Sequence, residues 1–98
     1  MINTRITNNR AQILSLASQH GIIIAMYYND HAPPHFHARY SGSEIRVNID
    51  TGEILSGRFP RRAQSLVLEW LNLHRSELLE DWQLAQERKL LNKIEPLE

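Results

Sequence analysis

Three of the five histidines in the chain fall within nine residues, Asn29-Asp30-His31-Ala32-Pro33-Pro34-His35-Phe36-His37, beside an aspartate and two adjacent prolines. Imidazole has an ordinary pKa suited to proton transfer near neutral pH, and it is also a common ligand of divalent metals. His35 and His37 stand two apart, so on an extended strand they project from one face. They are candidate catalytic residues, acting as acid and base on one substrate. They are also candidates, behind the acid–base reading, to share a divalent ion, with Asp30 or His31 brought back as a further ligand. No spacing here matches a well-specified metal motif, so the residue types carry this reading and a motif does not.

Something must aim these side chains. Proline fixes its own φ and pushes the preceding residue out of the helical region, so Ala32, Pro33 and Pro34 are expected to run extended and stiff. Asp30, His31, Pro33 and Pro34 then form a rigid elbow whose flanks carry the imidazoles. Asp30 can cap the turn through its side chain, a role that needs no chemistry at all.

Beyond the elbow, His35 to Tyr40 and Glu44 to Ile49 both alternate. Phe36, Ala38 and Tyr40 face one way with Ile45, Val47 and Ile49; His35, His37 and Arg39 face the other with Glu44, Arg46 and Asn48. Gly42-Ser43 suits a two-residue type II′ loop, which pairs Ser41 with Glu44 and sets Arg39 opposite Arg46. Two facing guanidinium groups invite an anion, so Arg39, Arg46 and, further on, Arg58 are candidate phosphate-binding residues. The alternative is that the long side chains splay apart into water.

The remaining elements follow from periodicity. Met1 to Thr7 is compatible with a frayed strand or a disordered start. Asn9 and Gln12 read as a capping box and Gly21 as a stop, which predicts a short helix over Arg10 to Gln19. Ile22 to Tyr28 is a continuous apolar run of strand length, expected to lie inside the sheet. Asp50-Thr51-Gly52 is a second turn, leading into a strand over Glu53 to Arg58; a two-residue loop pairs Ile49 with Ile54 and a three-residue loop pairs Val47 with Leu55.

Pro60 suits a first helical position, and the chain to about Leu91 reads as helix. Ala63, Val67, Trp70, Leu71, His74, Leu78, Trp82 and Ala85 form its apolar arc. A break near Arg75 and a single unbroken helix are both open. His74 is expected to be a hydrogen-bonded core histidine, with Glu77 or Asp81 as partner. The expected fold is α+β: one domain over residues 1–98, with a strand or helix extension (1–20), an antiparallel meander of about four strands (21–59), a long helix (60–91) and a tail (92–98).

Composition bounds the rest. With 98 residues and 42% hydrophobic content, one domain can bury a core unaided. The absence of cysteine excludes thiolate metal sites, redox chemistry and disulfides. No stretch approaches the roughly 18 apolar residues of a membrane span, and no signal peptide is evident, so a cytoplasmic protein is expected. Formal net charge is zero, which argues against an extended phosphate-tracking surface. Through Arg62 seven bases face four acids; from Ala63 onward four bases face seven acids.

The motifs Tyr28-Asn29-Asp30-His31, Pro33-Pro34-His35-Phe36-His37-Ala38, Ile49-Asp50-Thr51-Gly52, Gly57-Arg58-Phe59-Pro60-Arg61-Arg62 and Leu68-Glu69-Trp70, with His74 and Trp82, resemble the small bacterial domains grouped as domain of unknown function 4160. Thr7 to His20 looks like an insertion relative to that pattern. The resemblance implies a two-gene unit of the toxin and antitoxin type, and hence a small partner protein encoded by a neighbouring gene. It transfers no catalytic residue. Three readings stay open: an RNA- or nucleotide-directed effector using His35 and His37, a divalent-metal site, and a protein-interaction module without chemistry, with a homo-oligomer compatible with each.

Overall fold

The computed structural model describes residues 11–17 and 21–97 of the chain. Five strands, β1 (Ala11–Ala17), β2 (Ile22–Tyr27), β3 (His35–Tyr40), β4 (Ser43–Asn48) and β5 (Ile54–Gly57), are followed by one helix, α1 (Arg61–Gln86). Every strand pairs antiparallel with the next, in the spatial order β1-β2-β3-β4-β5. The alternation read from the sequence places the faces correctly: Phe36, Ala38, Ile45, Val47 and Ile49 are buried with Ile22, Ile24 and Met26 beneath Ala63, Val67, Trp70, Leu71, Leu78 and Ala85 of the helix. Ala25, on the opposite face of β2, is also fully buried, as expected for an interior strand.

The predicted helix over Arg10 to Gln19 is replaced by a strand over Ala11–Ala17, bulged between Ile13 and Ser15. A ten-residue helix is marginal on its own, whereas the outer edge of β2 offers a full row of backbone partners that would otherwise stand unpaired. Met1 to Thr7, Arg10 and the end of the predicted helix lie outside the described residues. Among the described residues the sheet therefore has five strands, one more than the expected meander.

The β3–β4 register also differs from expectation. Ser41 (φ 48°) and Gly42 (φ 85°) both take positive φ, the requirement of a type I′ turn, whose twist matches the flanking strands. Tyr40 then pairs with Ser43, Arg39 with Glu44, Ala38 with Ile45, His37 with Arg46 and His35 with Asn48. The slip amounts to two residues, so no side chain changes face. The expected facing arginines are thereby lost, and each acquires a different neighbour.

Beyond a bulge the second hairpin takes the register of the three-residue loop, with Arg46 opposite Ser56 and Ile45 opposite Gly57, but next to the turn it follows neither anticipated pairing. Asn48 organises the turn: its Oδ1 accepts the N–H groups of Asp50 (2.8 Å) and Thr51 (3.1 Å), and its own N–H donates to the Glu53 carbonyl. Val47 pairs with Ile54 and Arg46 with Ser56, which leaves Leu55 as a bulge. Gly57 closes the pairing opposite Ile45 at φ 88°, and a Cβ there would lie 2.0 Å from the Glu44 carbonyl oxygen. Gly57→Ala is expected to cost about 2 kcal/mol or more, read as a lowered denaturation midpoint at unchanged slope.

Helix α1 begins just after Pro60, which sits at the N-cap without a side-chain hydrogen bond, and ends at Gln86, short of the expected Leu91. Arg88 takes φ 58° and the Lys89 N–H bonds the Leu84 carbonyl at 2.9 Å, so the last free carbonyls are closed off by a left-handed turn. The helix bends at His74 (φ −126°, ψ 23°). His74 bonds Glu77 through Nδ1 and stacks obliquely on Trp70, while Arg75 Nε donates to the Ile49 carbonyl at 2.8 Å and fixes the bend to the end of β4.

Asp81 does not serve His74. It is fully buried on the helix and accepts the Asn92 N–H at 2.8 Å through Oδ1, while its Oδ2 has no hydrogen-bond partner. Burial pushes its pKa up, Glu80 and Glu77 add to that, and the Asn92 bond only partly offsets them. The tail is tied a second time where Trp70 Nε1 donates to the Glu95 carbonyl at 2.7 Å, and Ile94 is buried between the two ties. No helix among the described residues is long and apolar enough to cross a membrane.

Candidate metal centre

The loop between β2 and β3 reverses at Asn29, whose φ of 54° is one that asparagine tolerates better than most residues. Asp30 Oδ1 accepts the His31 N–H at 2.8 Å. The second half of α1, past the bend, braces this loop from the other side: the Asn29 N–H donates to the Ala85 carbonyl and Gln86 Nε2 donates to the Asp30 carbonyl, both at 3.2 Å. The Ala32–Pro33 peptide is cis, where a plain extended run was expected. The loop delivers Asp30 Oδ2 to the histidines of β3, 3.0 Å from His35 Nε2 and 3.6 Å from His37 Nε2.

Hydrogen-bond chemistry decides how the two rings present themselves. His35 Nδ1 lies 2.8 Å from the Pro33 carbonyl oxygen, which can only accept, so Nδ1 carries the proton. His37 Nδ1 lies 2.8 Å from Glu44 Oε2, and a carboxylate likewise accepts. Both Nε2 atoms look toward Asp30 Oδ2, that of His35 within hydrogen-bond distance. His37 Nε2 is buried without a hydrogen-bond partner, its distance to Oδ2 being too long for one. A proton between His35 Nε2 and Asp30 Oδ2 satisfies that pair and leaves His37 Nε2 unmatched; a cation among the three atoms would satisfy all of them.

The surroundings hold this geometry. His35 is 1% exposed, packed against Trp82 with ring centroids 5.2 Å apart. His37 lies against Tyr27 at 4.6 Å. Glu44, which fixes the His37 ring, is itself met by Arg39 Nε at 3.4 Å, and Arg39 Nη2 donates to the Tyr27 hydroxyl at 2.7 Å. A chain of contacts from β2 through β3 to β4 thus orients one imidazole. Asp30 titrates below the usual carboxylate range: burial works against ionisation, but the His31 N–H, the charge and hydrogen bond of His35, and the contact with His37 outweigh it.

Of the residues singled out in the sequence, Asp30, His35 and His37 come together, with ligand atoms all within 4.8 Å of one another. His31 is exposed, contributing only its backbone N–H, and Pro33 contributes its carbonyl. Arg39 is committed to Glu44 and Tyr27; Arg46 Nε donates to Ser56 Oγ at 3.0 Å; Arg58 is exposed beyond β5, two strands away from β3. Glu44, Tyr27, Trp82 and Gln86 were not anticipated as parts of a site. Glu44 shares the strand parity of Arg46, so a type I′ turn at Ser41-Gly42 would have placed it beside Arg39 and His37.

The protein is thus a small α+β domain, a five-stranded meander under one bent helix, with two histidines and one carboxylate gathered at the mouth of its central strand. The profile of a family described as a domain of unknown function (DUF4160) matches residues 21–83, about two thirds of the chain, and the chain belongs to that family. The match runs from the start of β2 into the second half of α1 and includes Asp30, His35, His37 and Glu44. No curated protein and no solved structure matches the chain.

Proposed function

We propose that this domain binds a divalent transition-metal ion through Asp30 Oδ2, His35 Nε2 and His37 Nε2. The observation that carries the reading is the pair of imidazoles with Nδ1 committed to oxygen acceptors and Nε2 turned to one carboxylate oxygen, Asp30 Oδ2, with His37 Nε2 buried and without a hydrogen-bond partner, the orientation that outer-shell partners impose on metal-ligating histidines. Distances agree. Tetrahedral zinc with bonds of ~2.0–2.1 Å requires ligand atoms ~3.4 Å apart, and the separations of 3.0 and 3.6 Å from Asp30 bracket that value. Without an ion, the lone pair of His37 Nε2 stays buried and unmatched, at a cost of about 1–3 kcal/mol.

Two histidines and a carboxylate suit zinc or ferrous iron better than calcium or magnesium. Three protein ligands also leave coordination positions open, the hallmark of a centre that binds water or substrate and not of a purely structural one. The toxin and antitoxin pairing suggested by the family resemblance is a separate proposal; under it, growth inhibition on induced expression depends on the same three ligands.

Isothermal titration of the chelator-stripped protein with Zn²⁺ tests the metal reading. One ion is expected per chain, and Asp30→Asn or His37→Gln is expected to weaken binding by about tenfold or more, while His31→Gln leaves it unchanged. Zinc binding no tighter in the parent than in the Asp30 and His37 variants would sink the proposal.

A further inference from the structure

We propose that the open side of this metal centre is an oxyanion site, taking a dianionic phosphate group held between the ion and Arg46. The inference rests on the metal centre at Asp30, His35 and His37 and names the class of ligand it receives. Arg46 faces His37 directly across β3 and β4, so their Cβ atoms stand ~4.5–5.5 Å apart on the polar face of the sheet. Its Nε is tethered to Ser56 Oγ at 3.0 Å. That bond anchors the guanidinium on one side, and among the described residues neither Nη group has a hydrogen-bond partner, which leaves both for a ligand. A guanidinium fork presented in this way matches two oxygens of a phosphate.

Charge balance narrows the ligand further. The single Asp30 carboxylate neutralises half of a divalent ion, so the loaded centre keeps one positive charge. Glu44, two residues along the same strand from Arg46, is already matched by Arg39. Arg46 is half-buried and forms no ion pair among the described residues, which adds a second positive charge beside the first. Two uncompensated charges on a partly covered face call for a dianion. A free phosphate or the terminal phosphate of a monoester meets that demand; a phosphodiester, with one negative charge, meets half of it.

Titration of the Zn²⁺-loaded protein with inorganic phosphate, phenyl phosphate and dimethyl phosphate tests this. Inorganic phosphate or phenyl phosphate is expected to bind, with dimethyl phosphate weaker than either ligand that does, and removal of zinc is expected to abolish binding. Arg46→Gln is expected to weaken phosphate binding by about tenfold or more with zinc affinity unchanged, while Arg58→Gln has no effect. Binding of phenyl phosphate assigns a monoester, and binding of inorganic phosphate alone assigns the free ion. Intact zinc binding with phosphate bound as tightly by Arg46→Gln as by the parent, or with dimethyl phosphate bound as tightly as the dianions, overturns this proposal alone. Absence of zinc binding in the parent removes the metal centre and this site with it.

Discussion

Saturation with Zn²⁺ is expected to raise the Tm of this protein by about 10 °C or more, and exchange of both His35 and His37 for Gln is expected to remove the whole of that rise. An ion present at about a hundredfold over its Kd stabilises the folded state by ~2.7 kcal/mol, and each kcal/mol moves the midpoint of a domain this size by ~4–8 °C. The metal-free double variant measures something different. His35 is 1% exposed against Trp82, so Gln there loses packing and the Pro33 contact, at an expected ~1–3 kcal/mol. Calorimetry with and without zinc separates the two effects. A double variant that melts lower than the parent yet keeps the full zinc-dependent rise would make these histidines scaffold.

Trp70→Ala is expected to cost about 3–5 kcal/mol, the range for deleting a buried aromatic ring. Trp70 is 3% exposed, meets Phe36 edge-on at 5.9 Å and stacks obliquely on His74 at the bend. Its indole N–H is also the tie to the Glu95 carbonyl. Trp70→Phe therefore helps to separate core from latch: an aromatic ring remains, smaller than the indole, so the lost hydrogen bond at ~1 kcal/mol is joined by a packing loss well below that of Trp70→Ala, while amide exchange is expected to quicken in residues 92–97. Guanidinium denaturation reads the first quantity and hydrogen exchange the second. Equal protection of the tail in parent and Trp70→Phe would show that Ile94 and the Asp81–Asn92 bond hold it alone.

Strand parity was legible in the sequence because it depends only on alternation. Phe36, Ala38, Ile45 and Val47 are buried whichever two-residue turn joins β3 to β4. The turn itself was not legible, since Ser41-Gly42 and Gly42-Ser43 both offer a glycine for positive φ, and the choice between them rests on sheet twist. That choice decided the neighbours of Arg39 and Arg46, and with them the role of Glu44. The helix proposed for Arg10 to Gln19 failed for another reason: a cap-like Asn9 and a stop-like Gly21 are local signals, whereas the vacant edge of β2 is a tertiary one. The candidate ligands Asp30, His35 and His37 were visible as residue types. Their tautomers were not, because these depend on Pro33 and Glu44 in space.

The meander carries a last consequence. Since spatial order follows chain order, β1 pairs among the described residues with β2 alone, and the family match starts at Gly21, after β1 has ended. A border strand of this sort can be grafted, shortened or discarded without rerouting any later segment. The opposite end of the chain has no such freedom. Ala85 and Gln86 lie past the matched region, yet they grip the backbone of Asn29 and Asp30. Growth and loss can proceed on the β1 side, while trimming at the far terminus loosens the loop that carries Asp30.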